Sequence, residues 1–127
     1  MPVQAVDRTI HTLLKTIFAN RNWNEAVERR FQTFHNRKFT SNQQFDTDTL
    51  LKGLPYSKYL SDPRNKDILS RFWGLNQEAG TLDSIGQSYG ITRERVRQIK
   101  EKATRILKHP ARLDIIRNNL EEMGFFF

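Results

Sequence analysis

The stretch LDSIGQSYGITRERVRQI, Leu82 to Ile99, sets two glycines inside a run of apolar residues at helical spacing. Ile85, Tyr89, Ile91, Val96 and Ile99 fall on the positions that hold together the two short helices of a helix-turn-helix. Gly86 is small where the first helix crosses the second, and Gly90 stands where the turn requires a positive φ. Thr81 and Thr92 precede the two helices as capping residues. The plainer reading is a helical hairpin with a basic solvent face. The two glycines and five apolar positions together favour the helix-turn-helix.

Once the inward face is set, the outward one follows from geometry. Arg93, Glu94, Arg97, Gln98 and Glu101 stand at i, i+1, i+4, i+5 and i+8 and share one surface. The N-terminal part of a recognition helix enters the major groove. There Arg bonds guanine bidentately, Gln bonds adenine, and Glu accepts from the cytosine amino group. Arg95, on the flank, suits a phosphate or a neighbouring side chain. Taken singly each residue is an ordinary solvated one; the shared face is what points to DNA.

The charge distribution agrees. The chain has 127 residues, a formal net charge of +7 and a pI near 10.1, a balance that favours nucleic acid or an acidic surface. Between Thr92 and Arg112 eight Lys and Arg face only Glu94 and Glu101, a net +6 in that window. No cysteine is present, which excludes disulfides, thiolate metal sites and cysteine nucleophiles. The start MPVQAVDRTIHTLL is not a secretory signal, and no run reaches the roughly 18 apolar residues of a membrane span. His11, His35 and His109 are scattered, so no metal site is expected. No phosphate loop, paired-carboxylate pattern or serine elbow occurs, so neither catalysis nor a cofactor is expected.

The rest of the chain also reads as helix, and the expected fold is all-α. Val6, Ile10, Leu13, Leu14, Ile17 and Phe18 give one apolar face over residues 5–19. Asn24 is placed to cap a second helix with Val27, Phe31 and Phe34 inward. HNRKFTSNQQFDTD (residues 35–48) reads as a loop, after which Asp46 or Asp48 starts a short helix ending at Gly53, with Pro55 beyond. In LSDPRNKDILSRFWGL (residues 60–75), Asp62 caps, Pro63 fits the first turn and Gly74 suits the exit. The helix after Thr92 carries Val96, Ile99, Ala103, Ile106 and Leu107 inward as far as His109-Pro110. A last helix over residues 111–122 carries Leu113, Ile116 and Leu120.

TLDSIGQSYGITRERVRQIKEKATRILKHP (residues 81–110) resembles region 4 of housekeeping bacterial sigma factors, the domain that binds the −35 promoter element. The likeness extends upstream through ILSRFWGL and downstream through ARLDIIRNNL, over the C-terminal half. It implies base contacts at Arg93, Glu94, Arg97 and Gln98, the set that geometry selects independently. It implies a basic surface for upstream DNA or activators at Lys102, Arg105 and Lys108, with Thr92, Arg95 and Lys100 as further expected backbone contacts. It also implies an apolar groove for the flap of the polymerase β subunit, with Leu69, Phe72 and Ile85 as contributors. The chain departs from the family in DPRN (residues 62–65), where an Arg-Glu pair is usual, and at Lys100 and Glu101, which replace an acid and a small residue. Glu101 on the DNA side would repel phosphate and alter base preference.

The expected organisation is a helical segment over 1–60, the DNA-binding domain over 61–122 and an apolar tail over 123–127. The first segment is too short for the promoter-melting region of a full sigma factor, and Trp23, Phe31 and Phe34 are expected in a core. The tail LEEMGFFF resembles sliding-clamp-binding peptides, so Met123, Phe125, Phe126 and Phe127 are candidates for docking into a partner's pocket; the other outcome is that they fold back onto the domain. The leading expectation is a cytoplasmic, nucleoid-associated transcription factor working with polymerase, a split, minimal or phage-type sigma-like factor or co-factor. Two others stand beside it. One is a dimeric repressor or activator paired through the stripe of residues 6–18. The other is a region-4 mimic that redirects polymerase without reading DNA.

Overall fold

The computed structural model describes residues 10–19, 21–38, 47–54, 57–75 and 78–127. Eight helices follow one another along them: α1 (Ile10–Ile17), α2 (Glu25–Lys38), α3 (Thr47–Leu50), α4 (Lys58–Ser61), α5 (Pro63–Trp73), α6 (Leu82–Tyr89), α7 (Arg93–Leu107) and α8 (Pro110–Glu122). No strand occurs among the described residues, and the fold is all-α.

Local chemistry sets the boundaries. Asn24 Oδ1 accepts the Val27 backbone N–H at 2.9 Å and starts α2. Asp62 accepts from the Arg64 N–H at 2.9 Å, and Pro63 opens α5 where its missing N–H leaves nothing unsatisfied. Thr81 and Ser84 cap α6 reciprocally, the Ser84 N–H donating to Thr81 Oγ1 at 3.0 Å and the Thr81 N–H to Ser84 Oγ at 3.2 Å. Several bounds differ from the sequence reading. α2 continues to Lys38, into the stretch expected as a loop from residue 35, and residues 39–46 lie outside the described ones. The single turn of α4, capped by Ser57, is too short to show a period. Val6, Asp46 and Pro55 lie outside the described residues.

α6 and α7 meet at a turn built on two glycines with different reasons. Gly90 adopts φ 66° and has nothing within 4 Å of where a Cβ would stand, so conformation alone demands it. Gly86 is helical, but a Cβ there would lie 2.6 Å from the Ile91 carbonyl oxygen. The Ile91 N–H donates to the Gly86 carbonyl at 3.0 Å, which locks that approach. α5 lies across both helices and buries Ile68, Leu69, Phe72 and Trp73 in the core that holds Ile85, Val96, Ile99 and Ala103.

Polar links fix the angle of α5. The Tyr89 hydroxyl donates to the Asp67 carboxylate, which also pairs with Arg71 at 2.9 Å. Burial, then this hydrogen bond, raise the Tyr89 phenol above its ordinary range, so the donor keeps its proton. On the other side the Trp73 indole N–H donates to Thr104 Oγ1 at 3.2 Å, and that hydroxyl donates to the Lys100 carbonyl at 2.8 Å.

The first helices and the last residues share this core. α1 packs against α5 and α7 and buries Ile10, Leu13, Leu14, Ile17 and, just beyond, Phe18. α2 lays Phe31 and Phe34 on the tail: the Phe125 ring lies 5.0 Å from Phe31 and 5.5 Å from Phe34. Phe127 sits 4.9 Å from Phe18 and 5.5 Å from Trp23, with the Arg117 guanidinium 4.9 Å from its ring centre. Buried Asn119 uses both amide hydrogens on the Leu50 and Lys52 carbonyls, at 2.7 and 2.9 Å, and so binds the exit of α3 to α8.

This packing bears on two alternatives left open by the sequence. The apolar stripe of α1 is covered within the chain, so it offers no dimer face. The tail is not free to enter a partner's pocket: Phe125 is 3% exposed, Met123 and Phe127 are half-buried, and only Phe126 faces solvent. A free three-phenylalanine end would expose apolar area that these aromatic contacts remove from water.

His11 and His35 join α1 to α2 edge to face, 5.0 Å apart. Burial lowers the affinity of both for protons; the charge of His35 adds to this at His11, where Glu28 opposes it. The folded chain therefore binds fewer protons than the unfolded one below the ordinary histidine value of 6.5. Stability present above that pH falls as the pH drops toward the lowered folded values. Denaturant titrations at successive pH values should show this loss, and replacing both histidines with Gln should flatten it.

The turn makes a second, sharper prediction. Gly86→Ala should destabilise the fold by about 1–3 kcal/mol, since the methyl meets backbone that cannot swing aside. Gly90→Asn should cost less than about 1 kcal/mol, because Asn tolerates the left-handed conformation in open space. Equal losses in thermal or urea unfolding would refute this division of roles.

Candidate nucleic-acid interface

α7 is positioned by its buried stripe, Val96, Ile99, Ala103 and Leu107, each with no exposed surface. Its start is set by Thr92, whose hydroxyl accepts the Arg95 N–H at 3.1 Å. That cap engages one free backbone donor and leaves Arg93, Glu94 and Arg95 exposed around the helix N-terminus. The partial positive charge of that end favours an approaching phosphate.

The expected base-reading residues do come together, but on one another. Arg97 Nη2 donates to Glu94 at 2.6 Å and its Nη1 donates to Glu101 at 2.7 Å, so one guanidinium bridges two carboxylates. The hydrogen bond from Arg97 holds the Glu94 carboxyl below the usual carboxylate range, and the same bonds raise the proton affinity of Arg97 further. Gln98 accepts from Arg95 Nη1 at 3.3 Å and donates to Glu94 at 3.5 Å. Arg93 turns toward the first turn of α6, 3.9 Å from Asp83. Asp83 was not singled out in the sequence; its place in the first turn of the preceding helix is the signal that finds it.

This arrangement divides the charge of α7. Arg93 and Arg97 are matched by Glu94 and Glu101, so the reading face is balanced. The excess sits on Arg95 and toward the C-terminal end. There Lys100, Arg105 and Lys108 line a cleft of about 300 Å³ with Thr16 of α1. Lys102 lies on another side, its ammonium 4.4 Å from the Tyr59 ring centre, while Lys100 stands 4.5 Å from that of Phe72. The expected backbone-contact set is thus split across two edges of the helix. Any attraction to phosphate would come from those edges, and base recognition would have to exchange bonds within the face for bonds to bases.

The structure places the expected flap-contact residues in the core or at its edge. Leu69 and Ile85 are 0% and 1% exposed and serve the core, and Phe72 is 8% exposed beneath Lys100. None presents an open apolar wall, because α5 and α6 close on each other and on α7. Among the described residues no cluster of metal-ligating side chains occurs, and no helix is long and apolar enough to cross a membrane.

Residues 62–109 match the family model described as Sigma-70, region 4. The chain is 46% identical over 56 residues to RNA polymerase sigma factor SigA1 of Synechococcus elongatus, a segment covering 43% of this chain and 14% of that protein. It is equally identical over 56 residues to RNA polymerase sigma factor SigA of Synechocystis, 13% of whose length is covered. Against RNA polymerase sigma factor RpoD of Neisseria gonorrhoeae the figure is 40% over 60 residues, 46% of this chain and 9% of that protein. The likeness therefore spans less than half of this chain and a small fraction of those proteins. No solved structure matches.

The double clamp on Arg97 predicts a gain of function. Glu101→Gln should free one side of Arg97 and remove a negative charge, tightening DNA binding about three- to tenfold at moderate salt. Fluorescence anisotropy with a labelled duplex measures it. Weaker binding in this variant would mean that Glu101 itself contacts a base.

Proposed function

We propose that this chain, whose residues 62–109 carry region 4 of the sigma-70 family, is a non-catalytic DNA-binding transcription factor that acts with bacterial RNA polymerase. The start of α7 reads a −35-like promoter element, with Arg93, Glu94, Arg97 and Gln98 as the base-contacting set. One observation carries the reading: these four side chains stand exposed or half-exposed on the first turns of a helix whose opposite stripe is fully buried against α5 and α6. Arg95, Lys102, Arg105 and Lys108 supply the phosphate contacts that hold the helix in register. The association with polymerase rests on the matched family and on relatives named as polymerase sigma factors. Under this reading the chain is a split or minimal sigma-like factor, or a co-factor of one.

The dimeric repressor is less well supported, because the described part of the stripe that suggested pairing, Ile10 to Phe18, is buried inside the chain. The mimic that leaves DNA untouched is separated by experiment. Arg93→Ala, Arg97→Ala and Gln98→Ala should each weaken binding to a promoter fragment by about 1–3 kcal/mol, roughly five- to 150-fold. Affinity should also fall steeply with added salt. Core polymerase should co-purify with the chain, and footprints should cover the −35 region. Co-purification with no footprint, and with the alanine variants as active as the parent, would leave the mimic standing instead.

A further inference from the structure

Far from α7 in sequence, α2 and the C-terminal tail enclose a groove of about 450 Å³ that the DNA reading does not use. Phe34 and Phe125 form its floor, and Arg29, Arg30 and Arg37 line it. These arginines stand at i, i+1 and i+8 of one helix and so face the same way. No acidic residue among the described residues lines the groove. Arg29 has only a long contact with Glu25, at 3.9 Å, and Arg30 and Arg37 have no ion-pair partner among the described residues.

The rim is equally unusual. Phe126 is 64% exposed, the one large hydrophobic so placed among the described residues. It is held there by its neighbours. Gly124, at φ 107°, turns the chain from α8 toward α2, and Phe125 and Phe127 then point inward. With Phe125 and Phe127 turned inward, the ring between them is left on the outer side. An anchored ring loses little freedom when a partner covers it, which makes it a good contact point.

We infer that this groove binds an acidic segment of a partner protein, with its carboxylates on Arg30 and Arg37 and an apolar side chain between Phe126 and the floor. Charge complementarity selects the occupant: the guanidinium forks of Arg30 and Arg37, with no acidic partner among the described residues, match carboxylates bidentately, and the apolar floor has no use in a purely ionic site. A single strand of nucleic acid fits less well. Stacking along a strand needs successive open ring faces, whereas Phe34 and Phe125 are 8% and 3% exposed and only Phe126 offers one. The tail is therefore a wall that receives a peptide. This inference stands independently of promoter recognition.

The test uses the full chain and three labelled probes in anisotropy titrations. They are a synthetic peptide alternating Asp and Glu with Phe and Leu, the same peptide with Ser at the apolar positions, and an oligothymidylate. The first peptide should bind, and the Ser version should bind about tenfold more weakly. Arg30→Glu and Arg37→Glu should each weaken the first peptide about fivefold or more, and Phe126→Ser about threefold. Lys58→Glu, an equal charge change at an exposed residue of α4, should leave it unchanged. Matched circular dichroism shows that the variants fold. Absence of peptide binding overturns the inference, as does an equal loss in Lys58→Glu, which reduces it to general charge. Loss of oligothymidylate rather than peptide binding in Arg30→Glu assigns the groove to nucleic acid instead.

Discussion

At the crossing of α6 and α7 a helix backbone comes so close to the following turn that no side-chain carbon fits between them. A Cβ on Gly86 would stand 2.6 Å from the Ile91 carbonyl oxygen, and the Ile91 N–H closes the gap with a hydrogen bond to Gly86. That contact fixes the angle between the two helices. With the angle set, Ile85, Val96 and Ile99 reach one core, α5 lies across both, and the first turns of α7 protrude. The candidate interface is a consequence of packing two residues away from it.

The protruding face is electrostatically quieter than the sequence around it suggests. The window from Thr92 to Arg112 carries a net +6, yet Arg97 is shared between Glu94 and Glu101 and Arg93 leans toward Asp83. Under the proposed reading, a face with satisfied hydrogen bonds would have to trade them for bonds to bases, so non-specific sequence would offer it little. Under the proposed reading, the basic side chains of Arg95 and of the later turns of α7 are the ones that would draw a phosphate backbone. Affinity and selectivity would then fall to different parts of one helix.

Much of this was legible in the linear chain because its signals are local. Asn24, Asp62, Thr81 and Thr92 all accept the backbone donors that their positions foretold. Gly74 and Gly90 adopt the left-handed conformation expected of them. The four candidate base readers share a face because helical geometry leaves no alternative. What escaped were pairings between distant residues: Tyr89 with Asp67, Trp73 with Thr104, Asn119 with the end of α3. Separations of 22 to 69 residues leave no periodic trace. α4 escaped for the opposite reason, since one turn is too short to show a period.

The sequence by itself determined an all-helical chain, a helix-turn-helix in its second half, and the residues on each side of α7. Those follow from caps, glycines and a period of 3.6, which are properties of neighbours along the chain. Only the tertiary structure decided what covers what. The apolar stripe of α1 could have paired two copies, and the three terminal phenylalanines could have stayed free. Both choices depend on whether matching apolar surface exists elsewhere in the molecule. It does, on α5, α7 and α2, and burial of Phe125 and Phe127 beside Phe31, Phe18 and Trp23 removes that surface from water. The same packing turns Phe126 outward beside three arginines, a juxtaposition that ninety residues of intervening sequence conceal.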